Sequence, residues 1–206
     1  DYAKLSSGLI CLLSFTGIFF AVLGFAIRFY TIATTPASTS GRNRDEQVAA
    51  TLNCSGIYSV VRHPLYLGNF LIWLGIIITT LNIYFVIIFC LAYWLYYERI
   101  MYAEEKYLEN KFGNQFIEWS EKVPAFIPGL KNYNKTSTSF SIKTILRREY
   151  AGLLATVGGF SFVNLLSNYF HKNQFILHNA WLYALPTAAI IAAVLRILRK
   201  KTGLLK

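Results

Sequence analysis

The sequence predicts an all-α integral membrane protein with about five transmembrane helices, and three observations carry that expectation. Of its 206 residues 55% are hydrophobic and 15% charged, with a mean hydropathy of +0.42; a soluble domain carries about 25% charged residues. Several uncharged runs reach 18 residues or more, the length that reads as a membrane span. The basic residues are also unevenly placed. With five spans, 18 of the 20 Lys and Arg fall on one side, leaving Lys4 and Lys172 opposite. The positive-inside rule makes that side the cytoplasm, with the C-terminus there and the first numbered residues outside.

The elements follow in order. The chain opens at Asp1 without a basic n-region or small-residue cleavage site, so no cleavable signal peptide is expected. Residues 5–27 form a first span closed by Arg28, and residues 31–53 a polar connector containing Arg42, Arg44, Asp45 and Glu46. Pro64 starts a second, short span over 65–80, since proline suits the first helical position. A third runs over 84–97 and continues as a helix to Phe112, where Gly113 is a natural stop. Residues 116–128 read as an interfacial segment, with Phe116, Trp119 and Phe126 as membrane-surface anchors, and 132–141 as a Ser/Thr/Asn-rich linker. Residues 151–170 and 176–198 are two further spans, the last broken by Pro186. The whole reads as a single membrane domain over 1–206, with 151–198 as an added C-terminal pair.

Composition also excludes classes. A net charge of +10 distributed by topology points to the membrane and gives no reason to expect a nucleic-acid partner. No ionisable residue lies mid-span, which disfavours a pump or secondary transporter. Cys11, Cys54 and Cys90 are scattered without metal-ligand spacing, so no metal site is expected.

Chemistry-bearing residues therefore collect at the cytoplasmic ends. Gly41-Arg42-Asn43-Arg44 and Gln47 through Asn53 and Ser55 to Tyr58 is one stretch, Arg62-His63-Pro64-Leu65-Tyr66 a second, and Glu98-Arg99 followed by Glu104-Glu105 a third. A hairpin of the second and third spans sets Arg62 and His63 level with Glu98 and Arg99. The N–H groups of Leu65 and Tyr66, at a helix start, lack intrahelical partners and suit an anionic group.

The ordered set R-H-P-x-Y-x-G (62–68), E-E-x-x-L-x-x-x-F-G (104–113) and V-P-x-x-I-P (123–128) resembles the isoprenylcysteine carboxyl methyltransferase family, whose core phospholipid N-methyltransferases share. The resemblance covers about residues 41–130. It implies a cytoplasmic cofactor pocket for S-adenosyl-L-methionine and a lipid or hydrophobic small-molecule substrate with a carboxylate, amine or thiol acceptor. Carried over by position, it implies donor contacts from Thr51, Leu52, Asn53, Tyr58, His63, Pro64, Leu65, Tyr66 and Glu104, with Gln47 as a further candidate. Glutamate would pair with the donor's ammonium, the helix start with its carboxylate, and a tyrosine with its adenine or cationic sulfur. Arg99 is the expected substrate-orienting cation, with Arg62 and Glu105 as further catalytic candidates. The chain departs from the pattern at Ile100 and Ala125, where arginine is frequent in the family. Two other classes compete. NADPH-dependent membrane sterol reductases share R-H-P-x-Y-x-G but place Asn where this chain has Leu65, and lack the second half. A non-catalytic membrane scaffold would bind neither ligand.

Overall fold

The computed structural model describes residues 6–36 and 49–202. Among them run six α-helices: α1 (Ser7–Thr34), α2 (Pro64–Ile78), α3 (Ile83–Phe112), α4 (Asn114–Lys122), α5 (Ile142–Lys172) and α6 (Asn179–Lys201). Helices α1, α3, α5 and α6 are long and apolar enough to cross a membrane. The protein is an integral membrane protein, with four full-length spans and α2 as a shorter fifth apolar helix. At 15 residues α2 is about 22 Å long, less than a hydrocarbon core of about 30 Å. Polar side chains start four of the helices: Ser6, Asn82, Ser141 and His178 accept from the N–H groups of Leu9, Phe85, Thr144 and Ala180.

Helices α1 and α2 approach most closely, and glycine permits it. A Cβ on Gly17 would lie 2.5 Å from the Gly75 carbonyl oxygen, and one on Gly24 would lie 2.5 Å from that of Gly68. In lipid, where burying apolar surface gives little drive, such backbone contact is a main source of helix affinity. Beside this seam Ala21, Phe25, Ile72 and Ile76 pack with Phe160 of α5, whose ring stacks on Trp181 of α6 at 5.2 Å. Helix α5 thus joins α1 and α2, while α6 packs on α5. Helix α3 packs on α2 and α4 but makes no more than incidental contact with α5 or α6. Two walls therefore stand apart at one end of the bundle, α3 on one side and the α5–α6 hairpin on the other.

The extension of α3 past the membrane is present. A span takes about 20 residues, so the last ten of its 30 project about 15 Å beyond. Gly113, at φ 54°, ends α3 in a conformation few other residues adopt cheaply and begins α4 at once.

Three expectations need correction. The first helix does not close at Arg28 but continues to Thr34, because Arg28 is satisfied inside the bundle by Glu149 and Asn69. The fourth span starts at Ile142, well before residue 151, so Arg148 and Glu149 are helical. Pro186 does not break α6. A proline removes one backbone bond, and here the adjoining Thr187 hydroxyl bonds the Tyr183 carbonyl at 2.8 Å and holds that turn.

Candidate active site

The site is built where the α2–α3 hairpin meets the segment after α4. The backbone N–H of Arg62 donates to the Pro124 carbonyl at 2.9 Å, that of His63 to Ala125 at 3.1 Å, and that of Gly129 to Val60 at 2.9 Å. The V-P-x-x-I-P stretch is therefore a strap laid against R-H-P, which explains two sequence motifs lying 60 residues apart. The linker after it closes the other flank. Gly56, at φ 61°, donates to the Asn134 carbonyl at 2.7 Å, and Ser59 Oγ receives the Asn134 N–H at 2.8 Å.

Arg62 locks this joint. Its Nε donates to Glu105 Oε1 at 2.8 Å and its Nη2 to Glu105 Oε2 at 3.1 Å. Its Nη1 donates to the carbonyls of Ser120 and Val123 at 2.7 and 2.6 Å. The same Glu105 oxygen lies 2.8 Å from His63 Nε2. Burial pushes the Glu105 carboxyl up, but the hydrogen bonds from His63 and Arg62 outweigh it and hold the group down at about 2. Glu105 lies in the projecting part of α3 and is a permanent anion at neutral pH. Arg62 and Glu105, expected as catalytic candidates, are thus committed to each other and to the strap; both reach the cavity wall as parts of a brace. Arg62 and His63 also meet Glu104 and Glu105, not Glu98, because the pairing lies two turns further along α3.

Glu104 takes the complementary position. Its Oε1 accepts from the Tyr66 hydroxyl, and its Oε2 lies 3.7 Å from His63 Nδ1. The His63 and Tyr66 rings stack at 5.6 Å, and Tyr66 packs on Tyr97 at 5.0 Å. Tyr93 donates to the Tyr66 carbonyl at 2.7 Å, fixing the first turn of α2 against α3.

These groups border a cavity of about 1270 Å³. Of the residues the sequence singled out, Thr51, Leu52, Asn53, Tyr58, Arg62, His63, Leu65, Tyr66, Arg99, Glu104 and Glu105 line it. Pro64 is buried behind the wall as the first residue of α2, and Gln47 lies outside the described residues. Trp119 is not a surface anchor: it lines the cavity, and its Nε1 donates to the Tyr58 carbonyl at 3.0 Å. Phe116 is buried, and Phe126 packs against Phe70 and Trp94, so neither is a plain anchor either.

The sequence reading missed the far wall. Arg28, Asn69, Arg148, Glu149 and Arg199 also line the cavity. Glu149, 3% exposed, takes a bidentate pair from Arg28 at 2.8 and 2.6 Å, and Arg28 Nη1 donates to Asn69 at 2.6 Å. The available signal was a lone arginine and a lone glutamate at the same end of two apolar helices, since such charges in a membrane bundle pair with each other.

A family profile for phospholipid methyltransferase matches residues 12–115, half of the chain. The chain belongs to this family of membrane methyltransferases. Its match takes in α1, earlier than the motifs alone implied, and leaves α5 and α6 outside. A protein-S-isoprenylcysteine O-methyltransferase of Schizosaccharomyces pombe is 35% identical over 43% of this chain and 36% of its own. A second, from Arabidopsis thaliana, is 41% identical over 35% and 37%. A cobalt-zinc-cadmium resistance protein of Cupriavidus metallidurans is 38% identical over 43% and 40%. The family member described here thus aligns with roughly two fifths of the length of these curated relatives. No solved structure matches the chain.

Proposed function

We propose that this protein is a membrane-embedded methyltransferase that uses S-adenosyl-L-methionine and acts on a lipid-like or hydrophobic acceptor. The carrying observation is the cluster of Glu104, Tyr66 and His63 at the start of α2, bordering a cavity inside the family-matched segment. The donor's groups fit those residues. Glu104 supplies the negative charge an ammonium requires, and the first turn of α2, where a helix leaves backbone N–H groups without intrahelical partners, suits a carboxylate. The aromatic faces of Tyr58 and Tyr66 suit an adenine or a sulfonium. When bound, the donor supplies an electrophilic methyl: the acceptor's lone pair forms the new bond to carbon while the carbon–sulfur pair stays on sulfur, leaving a neutral thioether.

The protein's own contribution is then positioning and charge. Arg62 and Glu105 brace His63 and the strap, so that Glu104 and the α2 start hold a fixed spacing. Arg99, on the α3 wall, is the candidate for orienting an acceptor. In this reading 1–206 forms one membrane domain whose methyltransferase core is residues 41–130, and the arginine-rich end, with the C-terminus, faces the cytoplasm.

Calorimetry on detergent-purified protein with S-adenosylhomocysteine and with NADPH tests the reading. Micromolar binding of S-adenosylhomocysteine is expected, weakened at least tenfold, about 1.4 kcal/mol, by Glu104→Ala or His63→Ala. Binding of NADPH alone, or unchanged affinity in both variants, would overturn it.

A further inference from the structure

We propose that residues 127–143 form a collar that binds the anionic lipid surface at the charged end of the bundle, with Ile127 and Leu130 set among acyl chains and Lys131 and Lys135 on acidic headgroups. This surface lies outside the cavity and does not depend on what the cavity holds. Composition, exposure and height carry it.

The segment joining α4 to α5 is not composed like a loop in water. Residues 123–148 contain no aspartate or glutamate, yet they hold Lys131, Lys135, Lys143, Arg147 and Arg148. Arg148 lines the cavity, while the three lysines are exposed. Large apolar side chains stand among them: Ile127 is 79% exposed and Leu130 78%, and Tyr133, Phe140 and Ile142 are exposed as well. The positive-inside rule accounts for the lysines but gives no reason for the isoleucine and leucine beside them. Apolar side chains interleaved with lysines are the composition of a segment that lies in a membrane surface.

Hydrogen bonds to α1 and α2 set its height. The Tyr133 hydroxyl lies 3.0 Å from that of Tyr30, and the Ser141 N–H donates to the Ala33 carbonyl at 3.0 Å. Measured from Ser7, Tyr30 stands about 35 Å along α1, past a hydrocarbon core of about 30 Å and within a bilayer of about 40–45 Å. On the other flank Gly129 is bonded to Val60, just before α2, and the Phe126 ring packs on Phe70, about 9 Å along α2 from Pro64. The collar therefore runs at headgroup level, with its first residues turned toward the acyl chains. Pro124 and Pro128 have no N–H to leave unpaired there. A soluble acidic protein would suit the lysines, but the bilayer already stands at this height around a membrane-spanning bundle. It supplies acyl chains for Ile127 and Leu130 together with negative charge for the lysines. The same strap presents the Pro124 and Ala125 carbonyls to Arg62 and His63, so the lipid anchor and the candidate site share one stretch of backbone.

Tryptophan quenching in nanodiscs tests the assignment. The full chain carrying Leu130→Trp is placed in equal phosphatidylcholine and phosphatidylglycerol with the same acyl chains, bromine being carried by one lipid or the other. Emission of the four native tryptophans, read from the unsubstituted protein in the same discs, is subtracted. The added tryptophan should be quenched by both lipids, and at least twofold more by brominated phosphatidylglycerol. Ile127→Trp, at a second exposed position, should show the same pattern. Lys131→Gln with Lys135→Gln should make the two lipids equal. Lys200→Gln with Lys201→Gln removes the same charge from the end of α6 and should leave the preference intact. Absence of quenching by either lipid would show a surface free of the bilayer and open to a soluble partner, and would overturn the proposal. Equal quenching by the two lipids before the lysines are changed, a preference that survives the Lys131/Lys135 change, or its loss in the Lys200/Lys201 control would overturn it too.

Discussion

Replacing Glu105 by Ala removes the group on which the site's joint converges. Its carboxylate takes two hydrogen bonds from Arg62 and one contact from His63, with side-chain exposures of 15%, 6% and 24% for Arg62, His63 and Glu105. Breaking a buried ion pair costs about 3–5 kcal/mol and an exposed one about 0–1. A partly screened pair with three donors falls between, at about 2 kcal/mol. For a chain of this size that corresponds to a fall in Tm of roughly 5 °C. Because Arg62 also holds the Ser120 and Val123 carbonyls, the strap should loosen and S-adenosylhomocysteine affinity fall with it. Glu105→Gln keeps one acceptor and should lie between. The effect has a pH signature of definite sign. A carboxyl held at about 2, against an ordinary 4.5, stabilises the fold fully above 4.5 and loses that contribution as pH falls toward 2. The stability gap between wild type and Glu105→Ala should close over that window. Differential scanning fluorimetry across pH with calorimetry at pH 7 measures both. An unchanged Tm and affinity in Glu105→Ala would refute the brace, and a gap that persists at pH 2 would refute its electrostatic origin.

Two further outcomes test the frame around the site. Glu149→Gln leaves the Arg28 guanidinium short of its bidentate partner among buried surroundings, and should cost about 3 kcal/mol in equilibrium unfolding; replacing both partners by Met and Leu should recover most of that loss. Gly24→Ala puts a methyl 2.5 Å from the Gly68 carbonyl oxygen, so α1 and α2 must separate, with an expected loss of about 1–3 kcal/mol by thermal unfolding. Gly8→Ala, which meets nothing within 4 Å, is the control and should be neutral.

Much of the site was legible because its two halves are local motifs at helix ends. A proline after Arg62-His63 marks a helix start, and Glu104-Glu105 sits on a helix whose apolar pattern runs on past the membrane. A two-span hairpin then brings them together with little freedom. Their division of labour was not legible. Glu104 and Glu105 are adjacent and chemically identical, and only the rotation of α3 decides that Glu105 meets Arg62 while Glu104 meets Tyr66. Val123-Pro124-Ala125 likewise carried no sign that its carbonyls, not its side chains, do the binding.

By itself the sequence determined the class, the number and order of apolar helices, and which end carries the charge, since these follow from hydrophobic run length and from where lysine and arginine can lie. Tertiary structure alone decided what the charged end encloses. Arg28 and Glu149 stand 121 positions apart, and their pairing depends on how closely glycine lets α1 and α2 approach and on which face α5 then turns inward. That packing draws a C-terminal hairpin with no motif of its own into the wall of the cavity, because side chains on different helices meet according to helix separation and rotation, which residue spacing within one helix does not encode.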